Sequence, residues 1–251
     1  MRPDRNPNQR LCGASTVSWQ LFDQESATYE SWYSTAEGQR ASHAETRLLA
    51  WLLATCPGTR TILEVGCGTG HFLGTFAARG LRPLGLDRSP GMLAQVRKRL
   101  PACPVVLGDA HELPLGDRAV DVVCFVTTLE FLADPRLALR EAVRVAASAV
   151  LVVVLNRISA GALWRRLHPA SRGTLIRHAH DLSPLQARAL LAEAAGPRLA
   201  AVRIRTALLP APLPSGPTRL PFGDVVGGAL LLRPTTGAGS AGAPCGSSPR
   251  S

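Results

Sequence analysis

Lysine is almost missing from this chain. Lys98 is the only one among 28 basic Lys and Arg residues, which against 18 acidic residues leave a formal charge of +10. No Gly-Lys-[Ser/Thr] follows any glycine turn, which excludes a Walker-type phosphate cradle. The arginines are spread along the chain, so the charge reads as compositional. A nucleic-acid or anionic-surface footprint would need a cluster. The six cysteines, at 12, 56, 67, 103, 124 and 245, form no C-x-x-C pair and no His/Cys grouping with zinc spacing. No metal is therefore expected. Cys67, Cys103 and Cys124 fall in or beside apolar runs, where cysteine behaves as a small hydrophobe in a reducing compartment. No apolar run approaches the roughly 18–20 residues of a membrane span; the longest is Val145–Leu155. The opening MRPDRNPNQR lacks the apolar core of a signal peptide. A soluble cytoplasmic protein with no membrane span is expected.

Aromatics are scarce too, at 5%, yet Phe22, Tyr29, Trp32 and Tyr33 gather within residues 21–36. Hydrophobic residues make up 46% of 251, enough for one α/β domain with a sizeable core. The organisation expected is a flexible arm over 1–20, a single domain over 21–233 and a disordered Gly/Ala/Ser/Pro tail over 234–251. Within the domain, 21–56 reads as a helical cap, 61–155 as a core and 156–233 as a less legible remainder.

Leu48, Leu49, Leu52 and Leu53 form one stripe of a helix over 38–54, which Pro57-Gly58 ends. Strands are expected at 61–65, 83–86, 104–107, 120–126 and 150–155. Those at 61, 104, 120 and 150 are almost continuously apolar, the mark of parallel strands buried on both faces. Helices are expected from His71, from Pro90 after an Ser89 N-cap, and from Pro135. Strand and helix thus alternate as in a doubly wound α/β fold. Beyond Asn156, a helix from Ser183-Pro184 to Ala195, a strand near 200–207, a proline-rich loop over 210–223 and a last strand at 227–233 are expected.

The stretch TILEVGCGTGHF, Thr61–Phe72, organises the rest. A short aliphatic strand runs into Gly66, Gly68 and Gly70 and then a helix start. The spacing G-x-G-x-G differs from the G-x-G-x-x-G of dinucleotide folds. Glu64, just before the turn, would repel a pyrophosphate and suits a ligand carrying an ammonium and a sulfonium. Asp87 ends the second strand, where a carboxylate accepts from ribose hydroxyls. Asp109 ends the third, where a carboxylate accepts from the exocyclic amine of adenine. Three carboxylates at neighbouring strand ends would line one crevice.

The successive segments LEVGCGTGHF, LGLDRSPGML, LGDAHELPL and VDVVCFVTTLEFLADP resemble the motifs of class I S-adenosylmethionine-dependent methyltransferases. The resemblance covers about Tyr29–Leu155 well and 156–233 loosely. It implies a doubly wound, mostly parallel seven-stranded Rossmann-like sheet with helices on both faces. The last strand would be antiparallel and inserted between strands five and six, with Gly227–Arg233 its candidate. It implies S-adenosyl-L-methionine as cofactor and S-adenosyl-L-homocysteine as product. Glu64, Gly66, Cys67, Gly68 and Gly70 would surround the methionyl part. Asp87, with Arg88 beside it, would hold the ribose. Asp109 and Ala110 would face the adenine, and Thr127 the methyl end. Tyr33, with Tyr29 and Trp32, would belong to a lid over the cofactor.

The acceptor is less legible. With no nucleic-acid module visible, a small molecule is favoured. An RNA or protein acceptor, a non-catalytic S-adenosylmethionine-binding protein and an NAD(P)-dependent oxidoreductase are the alternatives. His111, Glu130, His178 and His180 are candidates for a general base. His111 reads better as a contact of the adenine loop, and Glu130 as a brace before the helix at Pro135. Leu163 and Trp164 could wall an acceptor pocket or simply pack. Oligomeric state and the identity of the acceptor stay open.

Overall fold

A computed structural model describes residues 19–167, 179–210, 213 and 215–234. The expected arm and tail lie almost wholly outside these residues, as does His178. Seven strands form one sheet in the order β3-β2-β1-β4-β5-β7-β6. They are β1 (Thr61–Val65), β2 (Arg82–Asp87), β3 (Val105–Leu107), β4 (Val120–Val126), β5 (Ala146–Leu155), β6 (Leu199–Ala207) and β7 (Val225–Leu232). β1 to β5 pair in parallel, while β7 runs antiparallel to both β5 and β6. This is the Rossmann-like arrangement expected, with the last strand where Gly227–Arg233 was placed.

The helices are α1 (Trp19–Tyr29), α2 (Ala36–Leu53), α3 (His71–Ala77), α4 (Pro90–Arg99), α5 (Pro135–Val145), α6 (Ala160–Leu167) and α7 (Pro184–Ala195). The leucine stripe Leu48, Leu49 and Leu52 of α2 packs with Phe72 and Phe76 of α3 on one face of the sheet. Leu139 and Ala142 of α5 and Leu190 and Leu191 of α7 cover the other. β7 is pressed from both sides. A Cβ at Gly227 would lie 2.7 Å from Leu48, and one at Gly228 2.6 Å from Leu191. Glycine there lets helices close on both faces of an interior strand.

Register between β1 and β4 has a polar clamp. Asp121 Oδ2 accepts from the N–H groups of Arg60 and Thr61, both at 2.8 Å, and from Thr61 Oγ1 at 2.9 Å. Two expectations need correction. β3 is an edge strand of three residues with Leu107 56% exposed, so its apolar run did not mean burial on both faces. β5 starts at Ala146 rather than Val150, because the chain leaves α5 directly into extended backbone at Ala146.

Candidate active site

A cavity of about 340 Å3 lies at the carboxyl ends of β1, β2 and β4, the place where open parallel sheets bind ligands. Of the expected residues, Tyr33, Glu64, Gly66, Cys67, Gly68, Asp87, Arg88, Asp109, Ala110 and Thr127 line it. Gly70 does not. It is the N-cap of α3 at φ +80° and acts on the turn's path instead. Gly66 is at φ +72°, and a Cβ on it would sit 2.3 Å from Thr128 Cγ2. Both the conformation and the approach demand glycine. The turn is tied down by Leu86, whose carbonyl accepts from Gly66 N at 2.7 Å and Cys67 N at 3.0 Å.

Asp87 does more than end β2. Its Oδ2 accepts from Gly68 N at 2.8 Å and its Oδ1 from Ser89 N at 2.9 Å. Burial raises its pKa even though these backbone bonds pull the other way. One carboxylate therefore shapes the glycine turn and faces the cavity. Replacing Asp87 by asparagine is expected to weaken S-adenosylhomocysteine binding about 10- to 30-fold, the scale of one charge-assisted hydrogen bond. Calorimetric titration checks this, and an unchanged Kd would remove Asp87 from the ligand's contacts.

Glu64 is the electrostatic anomaly. It is 2% exposed, and its Oε2 has no hydrogen-bond partner. Burial, then the nearby charge of Asp87, pushes its pKa well above the ordinary range. A buried acceptor left unsatisfied is costly and calls for a donor. An ammonium group entering the cavity would supply one. With three turn glycines at positive φ above it, the site fits the amino-acid part of S-adenosylmethionine.

Asp109 lines the cavity with both oxygens already engaged. Oδ1 accepts from His111 N at 2.9 Å and contacts His111 Nδ1 at 2.6 Å; Oδ2 meets Arg88 at 3.1 Å. Burial acts to raise its pKa, but the His111 bonds and the Arg88 charge hold it below the ordinary value. His111 Nε2 accepts from Asp134 N at 3.2 Å, so Nδ1 carries the proton toward Asp109. His111 clasps the β3 loop to the N-cap of α5, as its reading as a loop contact anticipated, and is spent as a base. Glu130 is a brace as well: buried, with Oε1 accepting from Leu155 N at 3.0 Å. His180 is exposed, and its backbone N–H donates to Glu130 O at 2.8 Å. Leu163 and Trp164 do not wall the cavity; they are 58% and 52% exposed on α6.

The aromatic segment closes one side. Trp19, Phe22, Tyr29 and Tyr33 line the cavity, whereas Trp32 is 38% exposed and packs edge-on against Tyr33 at 5.0 Å. Trp32 thus leaves the set of three expected over the cofactor, because α1 and the short 3-10 turn Glu30–Ser34 give adjacent residues different faces. Two carboxylates hold the segment in place. Asp23 accepts from Ser89 Oγ at 2.5 Å and Gly91 N at 2.8 Å. Glu30 accepts from Thr69 Oγ1 at 2.5 Å, pairs with Arg99 at 2.7 Å and meets His71 Nδ1 at 3.2 Å. Burial pulls Glu30 up, but the His71 and Thr69 bonds and the Arg99 charge bring it below its ordinary value.

His71, outside the expected site, is the hub of this closure. Its ring stacks on Tyr33 at 3.7 Å and 6°, and its Nε2 lies 2.7 Å from Ser42 Oγ. Replacing Glu30 by alanine is expected to weaken S-adenosylhomocysteine binding about 10-fold, since it frees the segment from the turn. Titration of E30A checks this, with far-ultraviolet circular dichroism establishing that the variant folds.

Glu45 and Thr128 were also not anticipated. Glu45, on the buried face of α2, accepts from Thr127 Oγ1 at 3.5 Å. Thr127 itself adopts φ +49° as the chain leaves β4, a conformation rare for a β-branched residue and frequent at functional sites. A carboxylate inside the stripe of Ala41, Leu48 and Leu52 was the available signal for Glu45. Nothing in the sequence pointed to Glu30 or His71.

Residues 63–154 match the methyltransferase domain family. Residues 63–154 carry a methyltransferase domain. Over 107 residues it is 36% identical to a malonyl-[acyl-carrier protein] O-methyltransferase of Serratia marcescens, covering 43% of this chain and 41% of that one. Over 106 residues it is 38% identical to a probable S-adenosylmethionine-dependent methyltransferase of Mycolicibacterium smegmatis, covering 41% of each. The chain thus spans about two fifths of these relatives' length. Among solved structures, a Thermotoga maritima protein described as an S-adenosylmethionine-dependent methyltransferase, possibly a histamine N-methyltransferase, superposes with a TM-score of 0.68. It shares 24% identity and covers 86% of this chain and 100% of its own. The plantazolicin methyltransferase BpumL, solved with S-adenosylhomocysteine, superposes at 0.61 with 15% identity over 86% of this chain and 99% of its own. These likenesses give the methyltransferase domain its fold. Among the described residues, no group of three or more His, Cys, Asp or Glu is placed to hold a metal, and no helix is long and apolar enough to cross a membrane.

Proposed function

We propose that this chain transfers a methyl group from S-adenosylmethionine to a small-molecule acceptor. The observation that carries the reading is the orphaned oxygen of Glu64 at the floor of a glycine-turn cavity. Glu64 and the Gly66–Gly68 backbone would hold the amino-acid part, Asp87 the ribose, and Asp109 with Ala110 the adenine. Thr127, Thr128, Tyr29 and Tyr33 would surround the methyl end. The cofactor, when bound, supplies an already activated methyl group for in-line displacement. What the protein adds is position and dryness. Holding an acceptor in attack geometry is worth up to about 7–11 kcal/mol when orientation is ideal. The latched aromatic segment keeps water out.

His111 and Glu130 are committed to loop contacts, so neither is assigned as a base on this reading. A cavity of about 340 Å3 is at the lower end of small-ligand sites, a size that suits the cofactor itself. Titration with S-adenosylmethionine, S-adenosylhomocysteine and NAD tests the donor; binding of NAD alone would sink the reading. Metabolite extract incubated with methyl-labelled donor and searched for a new methylated mass tests the acceptor.

A further inference from the structure

We infer that the cavity trades a proton for its ligand: the Glu64 carboxyl is neutral in the free protein and releases its proton to solvent when the ligand's ammonium group arrives. The inference rests on the proposed function for the identity of that ligand. Glu64 belongs to β1 and lines the cavity, yet it is only 2% exposed. No described residue donates to its Oε2. The titratable groups that feel its charge are Asp87 from β2, the thiols of Cys67, Cys103 and Cys124, and the Tyr33 phenol. None of them is a base. The basic side chains of the cavity wall face other carboxylates. Arg88 and His111 meet Asp109 at 3.1 and 2.6 Å, and His71 meets Glu30 at 3.2 Å.

An ionised Glu64 in this setting would be a buried charge without a counter-charge, which keeping the proton avoids. Burial, then the charge of Asp87, accordingly pushes its pKa well above the ordinary carboxylate range. An entering ammonium reverses the balance. A protonated Glu64 would leave that ammonium desolvated and unpaired, whereas an ionised one pairs with it. The carboxyl O–H breaks, its proton passes to the buffer, and an ammonium N–H donates to the carboxylate that remains. Proton and ammonium thus compete for one group. Ligand affinity is full above the raised pKa of the free protein and is lost as pH falls below it, because the free protein binds a proton that the complex does not hold.

Calorimetry of the full chain in phosphate and in imidazole buffer counts the proton, at about pH 6.5, where the ligand's own amino group is already protonated. S-adenosylhomocysteine should release about one proton per molecule bound. Methylthioadenosine, which keeps the adenine, ribose and sulfur but has no amino-acid part, should release far less. Glu64→Gln should abolish the release with S-adenosylhomocysteine and weaken that ligand about 10-fold or more. The same variant should bind methylthioadenosine within about threefold of wild type, which shows that its cavity is intact. Glu45→Gln, altered behind Thr127, should release the same proton as wild type. The comparison of two ligands on wild type decides the matter should Glu64→Gln fail to fold. S-adenosylhomocysteine bound without proton release would overturn the inference and leave the methyltransferase reading standing. Equal release with methylthioadenosine, or by Glu64→Gln, would overturn it too and assign the proton to Asp87 or another group. No binding of S-adenosylhomocysteine at all would overturn both.

Discussion

Deleting residues 1–34 lowers the affinity for S-adenosylhomocysteine by at least about 100-fold, equivalent to about 2.8 kcal/mol. The deleted segment supplies Trp19, Phe22, Tyr29 and Tyr33 to the cavity wall. It also supplies Glu30, which ties that wall to Thr69 and His71 of the glycine turn. Without it the cavity is an open groove, and the ligand loses aromatic contact on one side and keeps water there. The fold should survive the cut. α2 keeps its own N-cap, since Thr35 Oγ1 accepts from Gly38 N at 3.0 Å. Its leucine stripe is anchored in the core independently of α1. Far-ultraviolet circular dichroism establishes folding and calorimetry the affinity. A folded truncation that binds within about threefold of wild type would show that the segment is no lid.

Glu45→Gln raises stability at pH 8 by up to roughly 4–5 kcal/mol relative to wild type, and by almost nothing near pH 4.5. Burial is the main reason that the Glu45 pKa rises from 4.5 to about 8. The charge of Glu130 adds to it, and the Thr127 hydrogen bond offsets part. The sign follows from proton binding. The folded state holds this proton more tightly than the unfolded chain does. Its contribution is therefore complete below pH 4.5 and is lost as pH rises toward about 8. Glutamine keeps the shape and an oxygen for Thr127 but does not ionise. Thermal melts of both proteins across this window should diverge steadily with pH. Glu64 and Asp87, raised likewise by burial, remain in both proteins and cancel in the difference. Parallel curves would mean that Glu45 is already ionised and solvated at neutral pH.

Much of the site was readable before any coordinates. Thr61–Val65 read as a strand because its residues are apolar without alternation. Gly66 and Gly68 read as a ligand turn because only glycine accepts such dihedrals without cost. Asp87 and Asp109 could be placed because each follows a short strand, Asp87 at the end of β2 and Asp109 two residues past β3. What misled was equally specific. The apolar run before Gly108 did not place β3 inside the sheet, since composition does not tell an edge strand from a central one. Trp32 shares its segment with Tyr29 and Tyr33 but turns outward. Leu163 and Trp164 looked like pocket or core and face solvent instead.

By itself, the sequence determined the order of strands and helices, the glycine turn and the three carboxylates at its mouth. These depend on backbone sterics and on patterns within a few residues, which a linear chain carries in full. Only the tertiary structure decided that Glu30 and His71, 41 positions apart, would meet, and that His111 would be spent on Asp109 and Asp134. It alone decided that Glu45 would lie buried behind Thr127. Those outcomes depend on how helices settle against the sheet, which is set by the fit of side chains far apart in the chain.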